Sequence, residues 1–169
     1  MLYRLRIIGI LFFLAQGLFA QQEKNIIISG KEIIGVWQIK SETISSALQS
    51  NFSFSGDGRF TYRLNQYNEV NPIKKISGTY KLEKNILYLK IQEFSQISGF
   101  KIVETSPGFQ AGVFTLDGGK LITIKQNDAN FSEHEIKTFL VPKSSSKKYI
   151  TIDGDKYFQI ATDPNKFNQ

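Results

Sequence analysis

Apolar and polar residues alternate with a period of two along most of this 169-residue chain, and few folds accept such a pattern. Trp37 and Ile39 alternate with Gln38 and Lys40; Phe52 and Phe54 with serines; Phe60, Tyr62 and Leu64 with Arg59, Thr61 and Arg63. The same rhythm returns in Thr79–Leu82, Leu87–Ile91, Phe114–Leu116, Ile122–Ile124, Ile150–Ile152 and Phe158–Ile160. A strand sends successive side chains to opposite faces, so each segment has one buried row and one wet row. Gly56-Asp57-Gly58, Asp117-Gly118-Gly119 and Asp153-Gly154-Asp155 supply the positive φ angles of tight hairpins, with Lys84-Asn85 a weaker turn of the same kind. Strands thus recur about every ten residues, as in an antiparallel sandwich or barrel. No long helical crossover separates them, which argues against a parallel α/β sheet.

The pattern predicts about nine to eleven strands, with two segments open. Phe94–Gly112 reads either as a strand Phe100–Thr105 followed by a turn at Ser106-Pro107-Gly108, or as a long flap carrying Phe94, Ile97, Phe100 and Phe109. Pro142–Lys148 either joins neighbouring strands or sets off a C-terminal hairpin, Tyr149–Ala161. Helix signals are confined to Ser29-Gly30-Lys31-Glu32, a capping-box spacing that predicts one helical turn ending near Gly35, and to Thr43–Gln49.

Ahead of this ladder stands an export signature. Arg4 and Arg6 precede the apolar run Ile7–Leu14, and the small residues Ala15, Gly17 and Ala20 follow. The expected division is a signal peptide at 1–20, a linker at 21–29, a barrel domain at 30–161 and a polar tail at 162–169. The longer stretch Ile7–Ala20 contains Gln16 and is shorter than the roughly 20 apolar residues a membrane-spanning helix needs. The chain has no cysteine, which removes disulfide frameworks, thiol catalysis, thiolate metal sites and a cysteine-linked lipid anchor. Removing Arg4 and Arg6 from the formal +6 leaves +4, spread along the chain and without the basic, aromatic-studded face of a nucleic-acid binder.

The block Ile33-Ile34-Gly35-Val36-Trp37-Gln38-Ile39, then Phe54-Ser55-Gly56-Asp57-Gly58-Arg59-Phe60, then Gly78-Thr79-Tyr80-Lys81-Leu82, resembles short exported bacterial lipocalin-like domains over about Ile33–Ile91. The resemblance implies an all-β, antiparallel up-and-down barrel of eight to ten strands with a short N-terminal helical turn. It implies that Trp37 plugs the closed end beneath a basic side chain from a late strand, Lys137 or Lys147 being the candidates. The T-D-Y motif of the larger lipocalins is absent. What the resemblance implies functionally is a binding module for a small apolar ligand, without cofactor or metal, and not an enzyme.

Phe60, Tyr62, Leu64, Tyr80, Leu87, Leu89, Phe114 and Leu116 are the expected inner row. They line a cavity if the barrel is under-filled and form plain core if it is filled. The single histidine, His134, lies between Glu133 and Glu135. Neighbours on a strand point to opposite faces, so these three do not converge, and no spaced His or Cys completes a metal site. A triad around His134 would have to be assembled in space from distant residues. Asp57, Asp117, Asp153 and Asp155 each adjoin glycine, where turn geometry favours aspartate. Three readings therefore stand: an exported binding module; a protein-interaction or structural domain that engages a partner through the apolar Phe94–Phe109 segment; and, with the least support, an enzyme resting on His134 and the carboxylates alone.

Overall fold

The computed structural model describes residues 25–26, 28–41, 49–65, 69–104, 112–127, 130–139 and 148–167. The expected signal peptide, the turn expected at Thr43–Gln49 apart from its last residue, the Ser106–Gly108 turn with Phe109, and most of the Pro142–Lys148 loop lie outside these residues. Ten strands form one antiparallel sheet: β1 Asn25–Ile26, β2 Gly35–Ile39, β3 Asn51–Phe54, β4 Arg59–Arg63, β5 Ile73–Glu83, β6 Ile86–Glu104, β7 Phe114–Lys125, β8 Phe131–Phe139, β9 Tyr149–Ile152 and β10 Asp155–Ala161.

The sheet closes on itself. The order β8-β9-β10-β2-β3-β4-β5-β6 returns to β8 through the β6–β8 ladder, so eight strands make the ring and no edge is left within it. β6 is the strand that departs from the plain up-and-down scheme. Its first part, Ile86–Lys90, pairs with β8, and its later part, Glu93–Glu104, pairs with β7 along the same edge. β7 and β8 therefore follow one another beside β6, and the β6–β7 pair runs on past the ring as a two-stranded ribbon. The departure begins at a bulge. Gly78 pairs with Ile91 whereas Ser77 pairs with Glu93, which leaves Gln92 as the extra residue. A bulge bends its strand and increases the twist, turning the ribbon away from the barrel. Glycine is required at position 78, because a Cβ there would meet the Lys90 carbonyl oxygen.

Three hairpin turns follow the sequence reading. Gly56–Gly58 joins β3 to β4, Lys84-Asn85 joins β5 to β6 with Lys84 at φ 56°, and Asp153-Gly154 joins β9 to β10 at φ 51° and 87°. Asp117-Gly118-Gly119 is a correction. These residues lie inside β7, with Gly118 opposite Phe100 and Lys120 opposite Ser98. Their positive φ values, 70° and 84°, face Gly99 at 75° across the ladder. The glycines thus kink a continuous ribbon at one level instead of reversing it. For the same reason Phe94–Glu104 is neither a short strand from Phe100 nor a flap, but the distal part of β6.

The two ends of the barrel differ. Gly35, the β3–β4 turn and the β5–β6 turn gather at one end, since Gly35 pairs with Phe54 and Arg59 with Thr79. β1 pairs with β8 at Thr138 and Phe139, so the segment after it crosses this end to reach β2. Within the stretch read as a linker, Ile28 is buried in the core together with Ile33. The opposite end carries the β9–β10 turn, the start of β8 and the base of the ribbon. At the C-terminus, Pro164–Lys166 makes one 3-10 turn capped by the Asp163 side chain, which accepts the Asn165 amide.

Candidate functional site

The closed end is held by its tryptophan. Trp37 has no accessible surface, and its indole N–H donates to the Ile33 carbonyl at 2.7 Å. That carbonyl directly follows a hydrogen-bonded turn over Ser29–Glu32, which stands where the sequence predicted a helical turn and does not continue as a helix. The Ser29 amide donates to Glu32 Oε2 at 2.8 Å, and the Glu32 amide donates to the Ser29 carbonyl at 3.0 Å. The hydrogen bonds from Ser29 hold the Glu32 carboxyl below its ordinary range, with a smaller contribution from the Lys148 charge. Lys148, at the start of β9, is the basic side chain of this end. Its Nζ lies 5.8 Å from the Trp37 ring and donates to the Glu32 carbonyl at 3.2 Å. Lys137 instead pairs with Glu135 at 2.9 Å, and Lys147 lies outside the described residues.

Above Trp37 the lumen is filled with rings. Phe52 stacks on Phe54 at 5.3 Å, touches Tyr62 at 4.4 Å and meets Tyr157 edge-on at 5.4 Å. Phe54 and Leu87 have no accessible surface, so no space large enough for a water molecule adjoins them. Of the expected inner row, Phe60, Leu87 and Leu89 belong to this packed core, and Tyr62 and Tyr80 are half-buried against it. Leu64 lies just past β4 and is half-buried. Phe114 and Leu116 are on β7, outside the ring, with Phe114 exposed. Burial and the neighbouring Tyr62 push the Tyr157 hydroxyl well above its ordinary range. Tyr80 is raised as well, by burial and then by the Asp57 charge, and its hydroxyl donates to the Ser55 carbonyl at 2.9 Å.

Apolar surface becomes accessible toward the open end. Tyr62 is opposite Ile76, Ile76 opposite Phe94, and Phe94 opposite Ile124. Directly opposed residues share a face, so these four form one row across β4, β5, β6 and β7. Each is only half-buried. The row carries the inner face of the barrel out onto the ribbon, where Ile122 stands two residues further along. The other large exposed apolar side chains concentrate on the same ribbon: Ile102, Val113, Phe114 and Leu121, the last two-thirds exposed at 66%.

A polar cluster occupies the same end, on β8. His134 is opposite Leu87, and Ser132 is opposite Leu89, so both follow the inner face. Ser132 Oγ is 2.9 Å from His134 Nε2, and His134 Nδ1 is 2.6 Å from Asp153 Oδ2. Asp153 Oδ1 accepts the Glu135 amide at 2.9 Å. Ser132 Oγ also reaches the Leu89 carbonyl at 3.2 Å. As the alternation requires, Glu133 and Glu135 take the other face. The partners of His134 were partly legible in the sequence: Ser132 is two residues away on one strand, hence beside it. Asp153 was not, because it arrives from a turn 19 residues on. Among the described residues no group of His, Asp and Glu is arranged to hold a metal ion.

An eight-stranded antiparallel ring, closed at one end by a buried tryptophan under a lysine and open at the other, defines a lipocalin-like β-barrel. Residues 33–108 match the model of the lipocalin-like domain family, and the closed ring is consistent with that fold. No curated protein and no solved structure matches the chain.

Proposed function

We propose that the chain is an exported binding module that takes a small apolar or amphipathic ligand at the open end of its barrel. The observation that carries this reading is the row Tyr62, Ile76, Phe94 and Ile124, half-exposed on the inner face where the filled lumen ends. A ligand then lies across the mouth against this row instead of descending to Trp37. Apolar area withdrawn from water contributes about 25 cal/mol per Å² before the costs of immobilising the ligand. The test is native mass spectrometry of the protein purified gently from its own envelope, followed by titration with an anilinonaphthalene sulfonate probe. Phe94→Asp is expected to weaken probe binding at least about tenfold, since a charge replaces half-buried apolar surface. Leu121→Asp, on the opposite face of the ribbon, is expected to leave it unchanged. Absence of a co-purifying small molecule together with equal probe binding by Phe94→Asp would refute the reading. Export is checked on the same sample, with a mature mass beginning at Gln21 as the expected result.

A second reading has its own support. Ile102, Phe114 and Leu121 present apolar surface on a ribbon whose outer strand, β7, pairs only with β6 among the described residues. An uncovered strand edge beside apolar side chains suits a protein partner. Cross-linking with and without Leu121→Asp separates this reading from the first.

A further inference from the structure

We propose that Ser132, His134 and Asp153 form a nucleophilic site for acyl transfer at the mouth of the barrel, with carboxylic esters bearing an apolar acyl group as its substrate class. The geometry has the three relations that such chemistry needs. The nucleophile touches its base, with Ser132 Oγ 2.9 Å from His134 Nε2. The base touches its positioning residue, with His134 Nδ1 2.6 Å from Asp153 Oδ2. The positioning residue is itself fixed, because Asp153 Oδ1 accepts the Glu135 amide at 2.9 Å. A carboxylate at Nδ1 keeps that nitrogen protonated, which leaves the Nε2 lone pair facing the serine hydroxyl. The competing acceptor for that hydroxyl, the Leu89 carbonyl, is more distant at 3.2 Å.

The backbone supplies a donor as well. The Ile136 amide points toward β6, where it donates to the Asn85 carbonyl, whereas the Glu135 amide points the other way, to Asp153. By alternation the Glu133 amide shares the direction of Glu135. β9 covers β8 only over Ile136–Thr138, so the Glu133 N–H lies beyond its reach, one residue after the nucleophile. An amide in that position is suited to a developing oxyanion. The cluster is open to solvent, with the His134 and Asp153 side chains 28% and 53% exposed, and it follows the face that carries Leu87 and Leu89.

The reaction balances without any further reagent. Ser132 Oγ bonds to the ester carbonyl carbon while its proton passes to His134 Nε2. The carbonyl–oxygen bond to the alcohol then breaks, and the His134 proton leaves with the alcohol. Water attacks the acyl-serine, again giving its proton to His134. The acid departs as that proton returns to Ser132. An ester leaving group suits an open site, since it asks less of the general acid than an amine does.

Only the preference for an apolar acyl group rests on the binding reading above. The experiment is therefore run with ethyl and dodecyl fluorophosphonate probes, which bond phosphorus to the serine oxygen and release fluoride. Intact-mass and peptide mapping of the folded protein is expected to show one adduct, at Ser132, absent in Ser132→Ala. His134→Gln is expected to slow labelling by about 100-fold or more. Asp153→Asn keeps a residue that tolerates φ 51°, so the turn survives. It is expected to slow labelling at least tenfold and to move the midpoint of the pH–rate profile, which a purely structural role would not do. Ser132→Cys reads the same base independently: its alkylation by iodoacetamide is expected to slow when His134→Gln is added. Labelling with the ethyl probe but no preference for the dodecyl probe overturns the apolar seat and leaves the nucleophile standing. No adduct on wild-type protein, or labelling and alkylation rates indifferent to His134→Gln, overturns the site.

Discussion

Replacing Trp37 with phenylalanine tests the closed end directly. The substitution keeps an aromatic ring on the strand but deletes the indole N–H and the second ring. Trp37 has no accessible surface, so neither loss is refilled by solvent. The vacated volume, roughly 40 Å³ at about 24 cal/mol per Å³, costs about 1 kcal/mol if the surroundings do not relax. The Ile33 carbonyl, which accepts the indole N–H at 2.7 Å, is left without that partner. An unsatisfied buried acceptor costs about 1–3 kcal/mol. Together these give about 2–4 kcal/mol, which lowers the Tm of a domain of this size by on the order of 10 °C. The assay is urea unfolding followed by far-UV circular dichroism, because the tryptophan signal is lost. The midpoint is expected to fall at constant m-value. A loss below about 0.5 kcal/mol, the range of ordinary surface changes, would show that Trp37 is not a plug and that the hydrogen bond contributes nothing net.

Other substitutions probe the rest of the frame. Gly78→Ala drives a Cβ into the Lys90 carbonyl at the bulge, and its cost is expected at the upper end of overpacking, about 3 kcal/mol. Gly30→Ala, with open space around its Cβ, serves as the control and is expected to stay within about 0.5 kcal/mol by the same urea titration. Tyr157 is held neutral by burial, with its folded pKa above the ordinary 10.0. Its contribution is therefore complete below pH 10 and is lost as the pH rises above that value, so Tyr157→Phe is expected to flatten the alkaline fall in thermal stability. Glu32 has the opposite sign: its pKa is lowered from 4.5, so its contribution is present above that value and fades as the pH falls through the folded pKa. Glu32→Gln is expected to remove that acid-side slope, which will be small because the carboxyl is solvated.

Seven of the eight ring strands were legible because their signal is local; β8, Phe131–Phe139, was not among the alternating segments read. Period two sorts each strand into two faces, and Asp-Gly pairs announce reversals, so Phe60, Leu87 and Leu89 read as inward-facing without knowledge of their neighbours, and the structure makes them core. The same logic misplaced Asp117-Gly118-Gly119. A positive-φ glycine pair marks a turn unless a partner strand carries a matching glycine, and Gly99 does so from across the ladder. Phe114 and Leu116 have the alternation of inner residues, yet alternation does not say which face adjoins a core. They fell outside the ring because β6 outlasts β8 and pairs its distal half with β7.

Side-chain period and backbone φ over a few residues were enough to settle the all-β class, the hairpin at each of three turns, and the strand that carries Trp37. The remaining features came from how the strands meet. Strand order filled the lumen with the rings of Phe52, Phe54 and Tyr157. It also set Lys148 above Trp37 and placed Asp153 against His134. The Tyr157–Phe52, Lys148–Trp37 and Asp153–His134 contacts join residues far apart along the chain, and only closure of the barrel, which fixes the register of β8, β9 and β2 together, brings them within reach.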